Sequence, residues 1–375
     1  MRIGIDTFGL EHGQSGFGKY LMSFLDCMKD DPDVEVVLFG PEKDRYVYNR
    51  KKNYEYIPVH LKESLWAERN WHRFCADSFA RRNRLDAVVY VAGARLIPSS
   101  FRVPSVAVVN EIASTGLSTI GNFFDRLQVR KGLSKADCII VPGMFVKKDL
   151  ARCGIKCRRV EIVHNGIDHS EFFQDPLSAE SDTVQINPFA IKKPYLLYAS
   201  SIKGPEKKHI ELIRAFGRFK EKTGLAHRLV LAGSIEENFS KEVAKAAFES
   251  PYASDIFITG YFPQEGLPEL YRNSDGCIFP SINEGVGLPV LEAMASGIPV
   301  ACTKAGVLQE ISGGNALYFN SDDIEGMSLC MEQLVTDEKI RGQLIENAAH
   351  WSERFSWEKT ASETLEIVKG IVKGN

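Results

Sequence analysis

A chain of 375 residues exceeds what one hydrophobic core usually supports, so two domains are expected. A hydrophobic content of 44%, a charged content of 25% and a net charge of −3 describe an ordinary globular protein, with no basic surplus for nucleic acid. No run of eighteen apolar residues argues for a spanning helix. The eight cysteines are scattered, several of them in apolar runs (Cys138, Cys277, Cys302), which suits reduced, buried thiols in a cytoplasmic setting.

The opening MRIGIDTFG reads as a strand over 2–6 rather than as a signal peptide. It runs into TFGLEHGQSGFGKY, with glycines at 9, 13, 16 and 18. That spacing is wrong for a dinucleotide fingerprint. The loop is either a flexible turn that lets backbone approach a sugar or phosphate, with a helix from about Phe17, or a plain surface turn. Apolar, β-rich runs recur at 34–40, 87–92, 106–110 and 137–141, with helical spacing at 20–28 and 65–80. The alternation predicts a doubly wound parallel sheet, an α/β fold class. Trp66, Trp71, Phe74 and Phe79 read as a helix face packed on that sheet. With the basic run YNRKK at 48–52 they also fit a contact to an anionic membrane or a lipid-linked acceptor. Cys153, Cys157, His164 and His169 superficially resemble a zinc finger, but the gap between the pairs is too short and His164 ends a predicted strand, so no metal is expected.

Between 168 and 194 the pattern lapses into a polar, Pro- and Ser-containing stretch that reads as a connection between domains. A second series of apolar runs follows at 195–200, 228–233, 256–260, 276–279, 299–303 and 316–319, with no repeat period linking the two halves. Ligands of open parallel sheets sit beyond the strands' carboxyl ends, and small or polar residues stand at those ends: Ser200, Ser201, Gly233, Ser234, Gly260 and Tyr261. Lys207 and Lys208 precede a helix with Ile210, Ile213 and Phe216 on one face; a lysine at that rim could neutralise a diphosphate, or the two could be solvated surface charges.

The most informative stretch is FPSINEGVGLPVLEAMASGIP at 279–299. Pro289 fits a first helical turn, and Gly297 followed by Pro299 ends the helix. The amides of Val286, Gly287 and Leu288, with the positive end of the helix dipole, make a phosphate site. Glu284 in the loop and Glu292 inside the helix would repel an anion unless they face hydroxyls. A nucleotide sugar offers that combination; two ordinary surface glutamates on a strand-loop-helix unit are the alternative.

These stretches carry a resemblance. VEIVHNGID (160–168), YLLYASSIKGPEKKHIELIRAF, LVLAG (229–233), the run from FITGYFPQEG to VACTKAG (257–306) and FSWEKTASETLEIVKGI resemble a family 4 glycosyltransferase of the GT-B fold, the second half nearly end to end and the first more weakly. The resemblance implies two Rossmann-like doubly wound domains facing each other across a cleft: residues 1–168, to which a last helix at 355–375 crosses back, and residues 169–354, which hold the donor. It implies a retaining, metal-independent hexosyltransferase without a cofactor. Its donor would be a nucleotide-diphosphate sugar, and its acceptor a hydroxyl of a glycan or lipid-linked saccharide in polysaccharide or glycoconjugate biosynthesis, in the cytoplasm or peripherally at the membrane. By motif position Glu284 would contact the transferred sugar, Glu292 the ribose, and Lys207 with the amides near Gly287 and Leu288 the diphosphate; Gly16 would approach the donor phosphates. Two departures stand out: Ser201 occupies the place of a common arginine clamp, and Asn110-Glu111 the place of a common histidine-aspartate pair, so Asn110 would be the catalytic-site hydrogen-bond donor. They keep open a catalytically weak or silent nucleotide-sugar-binding partner as the alternative.

Overall fold

The protein, described by a computed structural model over residues 1–49, 52–175 and 181–374, divides into two units, Met1–Gly166 with Phe355–Asn375 and Ile167–Arg354. In the first unit the apolar runs form strands β1 (Arg2–Asp6), β2 (Glu35–Gly40), β3 (Glu55–Pro58), β4 (Ala87–Tyr90), β5 (Ser105–Val108), β6 (Cys138–Val141) and β7 (Val160–Ile162). They pair in parallel in the order β3-β2-β1-β4-β5-β6-β7. β4, β5 and β6 are buried at every position, as strands covered on both faces must be. The helices are α1 (Gly16–Cys27), α2 (Asp44–Tyr48), α3 (Leu65–Phe74), α4 (Ala76–Arg82), α5 (Ala113–Thr119), α6 (Phe123–Lys135) and α7 (Met144–Arg152). α1 and the final helix cover one face of the sheet; α3, α4, α6 and α7 cover the other.

The second unit repeats the strand order. After an antiparallel hairpin of β8 (Thr183–Ile186) and β9 (Phe189–Lys192) come β10 (Tyr195–Ala199), β11 (Arg228–Ala232), β12 (Ile256–Gly260), β13 (Gly276–Phe279), β14 (Val300–Thr303) and β15 (Leu317–Phe319), in the order β12-β11-β10-β13-β14-β15. Between and after them run α8 (His209–Thr223), α9 (Glu237–Phe248), α10 (Leu267–Arg272), α11 (Leu288–Ala295), α12 (Leu308–Ser312), α13 (Ile324–Thr336) and α14 (Glu338–Ser352). α8 buries Leu212, Ile213, Phe216 and Phe219, each worth about 1.5–3 kcal/mol of burial; Ile210 is only half-buried. α15 (Trp357–Gly374) belongs to the first unit, where the Thr360 hydroxyl donates to the His164 carbonyl at 2.7 Å and Trp357 meets Tyr20 edge-on.

Three expectations are corrected. The helical stretch 65–80 is two helices broken at Cys75. In one straight helix, Ala76 and Ala80 would lie on the side opposite Trp71; the break lets all three be buried on the sheet. The four aromatics therefore do not form one packed face, since Trp71 is buried and Phe79 packs beside it, while Trp66 and Phe74 are exposed. Within 168–194, the hairpin of β8 and β9 stands where only a polar connection is expected. Val184, Ile186 and Ile191 are its buried side and Phe189 stacks on Phe262 at 5.2 Å. Residues 176–180 of that stretch, and Arg50 and Lys51 of the basic run, lie outside the described residues.

Candidate functional site

β10 and β13 are adjacent although β11 and β12 intervene in the chain, which makes their shared carboxyl end a topological switch point. The connection after β10 makes a short 3₁₀ turn, Pro205–Lys207. The Tyr198 hydroxyl donates to the Lys207 carbonyl at 3.0 Å, and the Ile282 amide, from the loop after β13, donates to the Glu206 carbonyl at 3.0 Å. The two loops are thereby laced together. Lys207 Nζ donates to Glu284 Oε1 at 2.5 Å, with the two side chains 17% and 22% exposed. Lys208 turns away to Glu211 and Asp322, at 3.0 and 2.7 Å, and is not part of the rim.

Beside the pair, α11 presents its first turn. Gly287 has φ +77, and a Cβ there would come within 3.0 Å of Ile311 and 3.2 Å of Val307. Among the described residues the amides of Val286, Gly287 and Leu288 have no acceptor. Free amides, a helix N-terminus and a lysine ammonium form a place for an anion, and a carboxylate held at its edge can accept hydrogen bonds from hydroxyls. Tyr198, Ser200, Phe279, Glu284, Gly287 and Leu308 line a small niche there.

The other expected residues are placed unevenly. Glu292 accepts from the buried Tyr271 hydroxyl at 3.1 Å; Tyr271, on α10, is a partner that sequence reasoning missed. Ser201 and Ser234 are neighbours, because the Ile202 amide donates to the Ser234 carbonyl at 2.8 Å and Gly233 lets the strands close; a Cβ there would lie 2.3 Å from the Ser200 carbonyl oxygen. Tyr261 follows the edge strand β12, two strands from β10, and its ring is exposed, so it is not brought to the Lys207–Glu284 pair. Behind the site His209 is fully buried and stacks on Tyr198 at 4.8 Å. Neither of its ring nitrogens has a hydrogen-bond partner among the described residues, and burial, then the neighbouring Lys207, lowers its pKa to about 4.

In the first unit, the carboxyl ends of β1 and β4, with β5 beyond, form a second switch point. Gly16 opens α1 with nothing near a Cβ built on it, whereas Gly18 is required by packing, 2.5 Å from the Gly13 Cα. The Asn110 side-chain amide nitrogen is buried and lacks an acceptor among the described residues. Glu111 is taken by Arg95 at 3.0 Å, and Arg95 also covers the Phe17 ring at 4.6 Å. Arg95 was missed in the sequence; its signal was the small-residue run VAGAR just past β4. Under the loop, Asp6 Oδ2 lies 2.7 Å from His72 Nε2, and His72 Nδ1 donates to the Glu68 carbonyl at 2.7 Å.

The Cys157 thiol donates to backbone carbonyls and the His164 ring to the Pro142 carbonyl; among the described residues no three His, Cys, Asp or Glu side chains gather as metal ligands. No described helix is long and apolar enough to cross a membrane.

The family model "Glycosyltransferase Family 4" matches residues 15–171 and "Glycosyl transferases group 1" matches residues 181–351. O-antigen chain mannosyltransferase B of Escherichia coli is 29% identical over 177 residues, 47% of this chain and 45% of that protein. Mannosylfructose-phosphate synthase of Agrobacterium fabrum is 27% identical over 260 residues, 66% of this chain and 56% of that protein. The matches thus span about half of these relatives' lengths. Among solved structures, sucrose-phosphate synthase from Thermosynechococcus elongatus superposes with a TM-score of 0.73 at 16% identity over 100% of both chains. Anabaena HepE in complex with UDP and glucose gives 0.73 at 16%, over 99% of this chain and 100% of that one. At that identity the likeness is one of fold.

Proposed function

Because this chain belongs to the family 4 glycosyltransferases and has the GT-B fold, we propose that it moves a hexosyl group from a nucleotide-diphosphate sugar to an acceptor hydroxyl with retention of anomeric configuration. The observation that carries the reading is the meeting of Lys207 and Glu284, 77 residues apart in the chain, at 2.5 Å beside the amides at the start of α11. The diphosphate takes the amides and the Lys207 ammonium, which meet the charge that grows as the nucleotide departs. Displaced from Lys207, the Glu284 carboxylate accepts hydroxyls of the transferred sugar, and Glu292, steadied by Tyr271, takes the ribose. The departing phosphate oxygen accepts the acceptor's proton, so no dedicated base is needed. Asn110 donates its buried amide to a sugar hydroxyl, and Gly16 leaves room for the donor phosphates.

Positive charge at the leaving group comes here from Lys207 and backbone, so neither metal nor cofactor enters the reaction, and turnover should survive EDTA. The mannosyltransferase name of one relative and the UDP and glucose of one structural neighbour support a hexose and a nucleotide as ligand classes. The O-antigen relative supports a glycan or lipid-linked saccharide as acceptor.

A thermal-shift panel of nucleotide sugars, followed by an acceptor screen with the best binder, tests the proposal. The expected result is nucleotide release that depends on acceptor, and a product whose NMR coupling shows the donor's anomeric configuration. Binding without turnover across the screen would instead favour a silent nucleotide-sugar partner, the reading raised by Ser201 and Asn110.

A further inference from the structure

α3 and α6 lie side by side on one face of the first unit's sheet, where Trp71 of α3 and Val129 and Leu133 of α6 share one core. They are clamped by ion pairs: Asp125 of α6 receives Arg69 at 3.1 Å and Arg73 at 2.9 Å, and Arg73 also donates to Gln128 at 2.6 Å. Their outward faces are not polar. Trp66 is 76% exposed and Phe74 72%; on α6, Phe123, Phe124 and Leu127 are 66%, 70% and 44% exposed. Trp66, Asn70 and Phe74 follow one another at four-residue spacing, one stripe along α3, and Phe123 and Leu127 do the same on α6. Single exposed apolar residues need no explanation, but these five, with Leu65 at the start of α3 also 50% exposed, on two clamped helices do.

The charge around this face is predominantly positive. Residues 64–84 and 122–135 carry nine arginines and lysines against three carboxylates, in a chain whose net charge is −3. Of the three, Asp125 is neutralised by two arginines and Asp77 faces Arg102 at 3.4 Å. Arg130 and Lys131 stand one helical turn from Leu127, and Arg81 and Arg82 are exposed on α4. Arg81, Arg82 and Lys131 have no ion-pair partner among the described residues.

We propose that this face seats the protein on an anionic lipid bilayer, with the five apolar side chains entering the interface and the basic rim meeting the headgroups. A second copy of the chain is disfavoured on charge. A two-fold contact would lay the basic rim against itself, whereas an anionic surface is its complement. The proposal stands on α3, α4 and α6 alone and does not depend on the reaction assigned above.

The test is sedimentation of the full chain with phosphatidylcholine vesicles, with and without phosphatidylglycerol. Binding is expected only to the anionic vesicles, and it should weaken as salt is raised. Phe74→Ser with Phe124→Ser, or Arg82→Glu with Lys131→Glu, should lower the bound fraction by about tenfold or more while the thermal melt stays unchanged. Of the four tryptophans, Trp66 is the exposed one, so vesicles should shift the emission to the blue and Trp66→Phe should abolish that shift. Equal binding to neutral vesicles, no binding to either, or binding untouched by both double variants would overturn the proposal. So would a lipid-free dimer in sedimentation velocity that Phe74→Ser with Phe124→Ser dissolves, because that outcome assigns the face to a second copy.

Discussion

Lys207 and Glu284 hold each other at 2.5 Å at the switch point of the second sheet, and either one removed leaves the other beside the amides at the start of α11. Lys207→Ala should lower turnover by roughly 10²–10³-fold if the ammonium meets charge on the leaving group. Both side chains keep some contact with solvent, so the same variant should cost no more than about 1 kcal/mol of stability. Steady-state rates and urea denaturation of one preparation measure both; a rate within a factor of a few of the parent would remove Lys207 from the chemistry. Tyr271 separates binding from chemistry in another way. Its hydroxyl donates to Glu292 from a fully buried ring, so Tyr271→Phe removes one of the contacts that orient the carboxylate. The expected result is a several-fold rise in donor KM with kcat kept, and a stability loss of about 1 kcal/mol. An unchanged KM would mean that Glu292 needs no such steadying.

At the scale of the element, α11 depends on the residue that starts it. Gly287 has φ +77 and its missing side chain leaves room for Ile311 and Val307, so Gly287→Ala meets both a left-handed backbone and a tight contact. A loss of about 1–2 kcal/mol is expected, with weaker nucleotide-sugar binding by calorimetry, since the amides that would hold the diphosphate are displaced. Full affinity in a destabilised variant would sever the cap from the ligand. The Pro289 and Gly297 positions made the two ends of this helix legible in the sequence, because proline and glycine carry their backbone geometry with them. β1, β12 and β13 were legible at their observed ends for a similar reason: each is an apolar run bounded by turn residues. The hairpin of β8 and β9 was not, since alternate positions such as Gln185 and Ala190 face away from the core and dilute the apolar signal. Nor could spacing show the break at Cys75, or send Lys208 to Asp322 and Lys207 to Glu284. Those outcomes are decided by which helix lies next to which strand. Tyr271 escaped notice on the same ground, since it reaches Glu292 through the packing of α10 beside α11.

For the molecule as a whole, two buried histidines give the units opposite leanings with pH. In the first unit burial by itself pushes the His72 pKa down, but the Asp6 carboxylate at 2.7 Å and the Glu68 carbonyl outweigh it and hold it above its ordinary 6.5. Both ring nitrogens face acceptors, as an imidazolium requires. A folded-state pKa above the unfolded one gives stability that is fully present below pH 6.5 and is lost as pH rises through the folded value. In the second unit burial and Lys207 lower His209 to about 4, so its neutral ring gives stability present above pH 6.5 that is lost as pH falls toward 4. At full effect that is roughly 3 kcal/mol. Hydrogen exchange on the intact chain, read by peptide, should therefore show 167–354 loosening first in mild acid and the first unit loosening first in mild alkali. His209→Phe, which keeps a ring against Tyr198 and removes the proton site, should flatten the acid limb and leave the alkaline one; His72→Gln should do the reverse. An acid limb unmoved by His209→Phe would mean that the destabilising proton enters elsewhere, and the unpartnered imidazole behind Lys207 would then cost the fold the same at every pH.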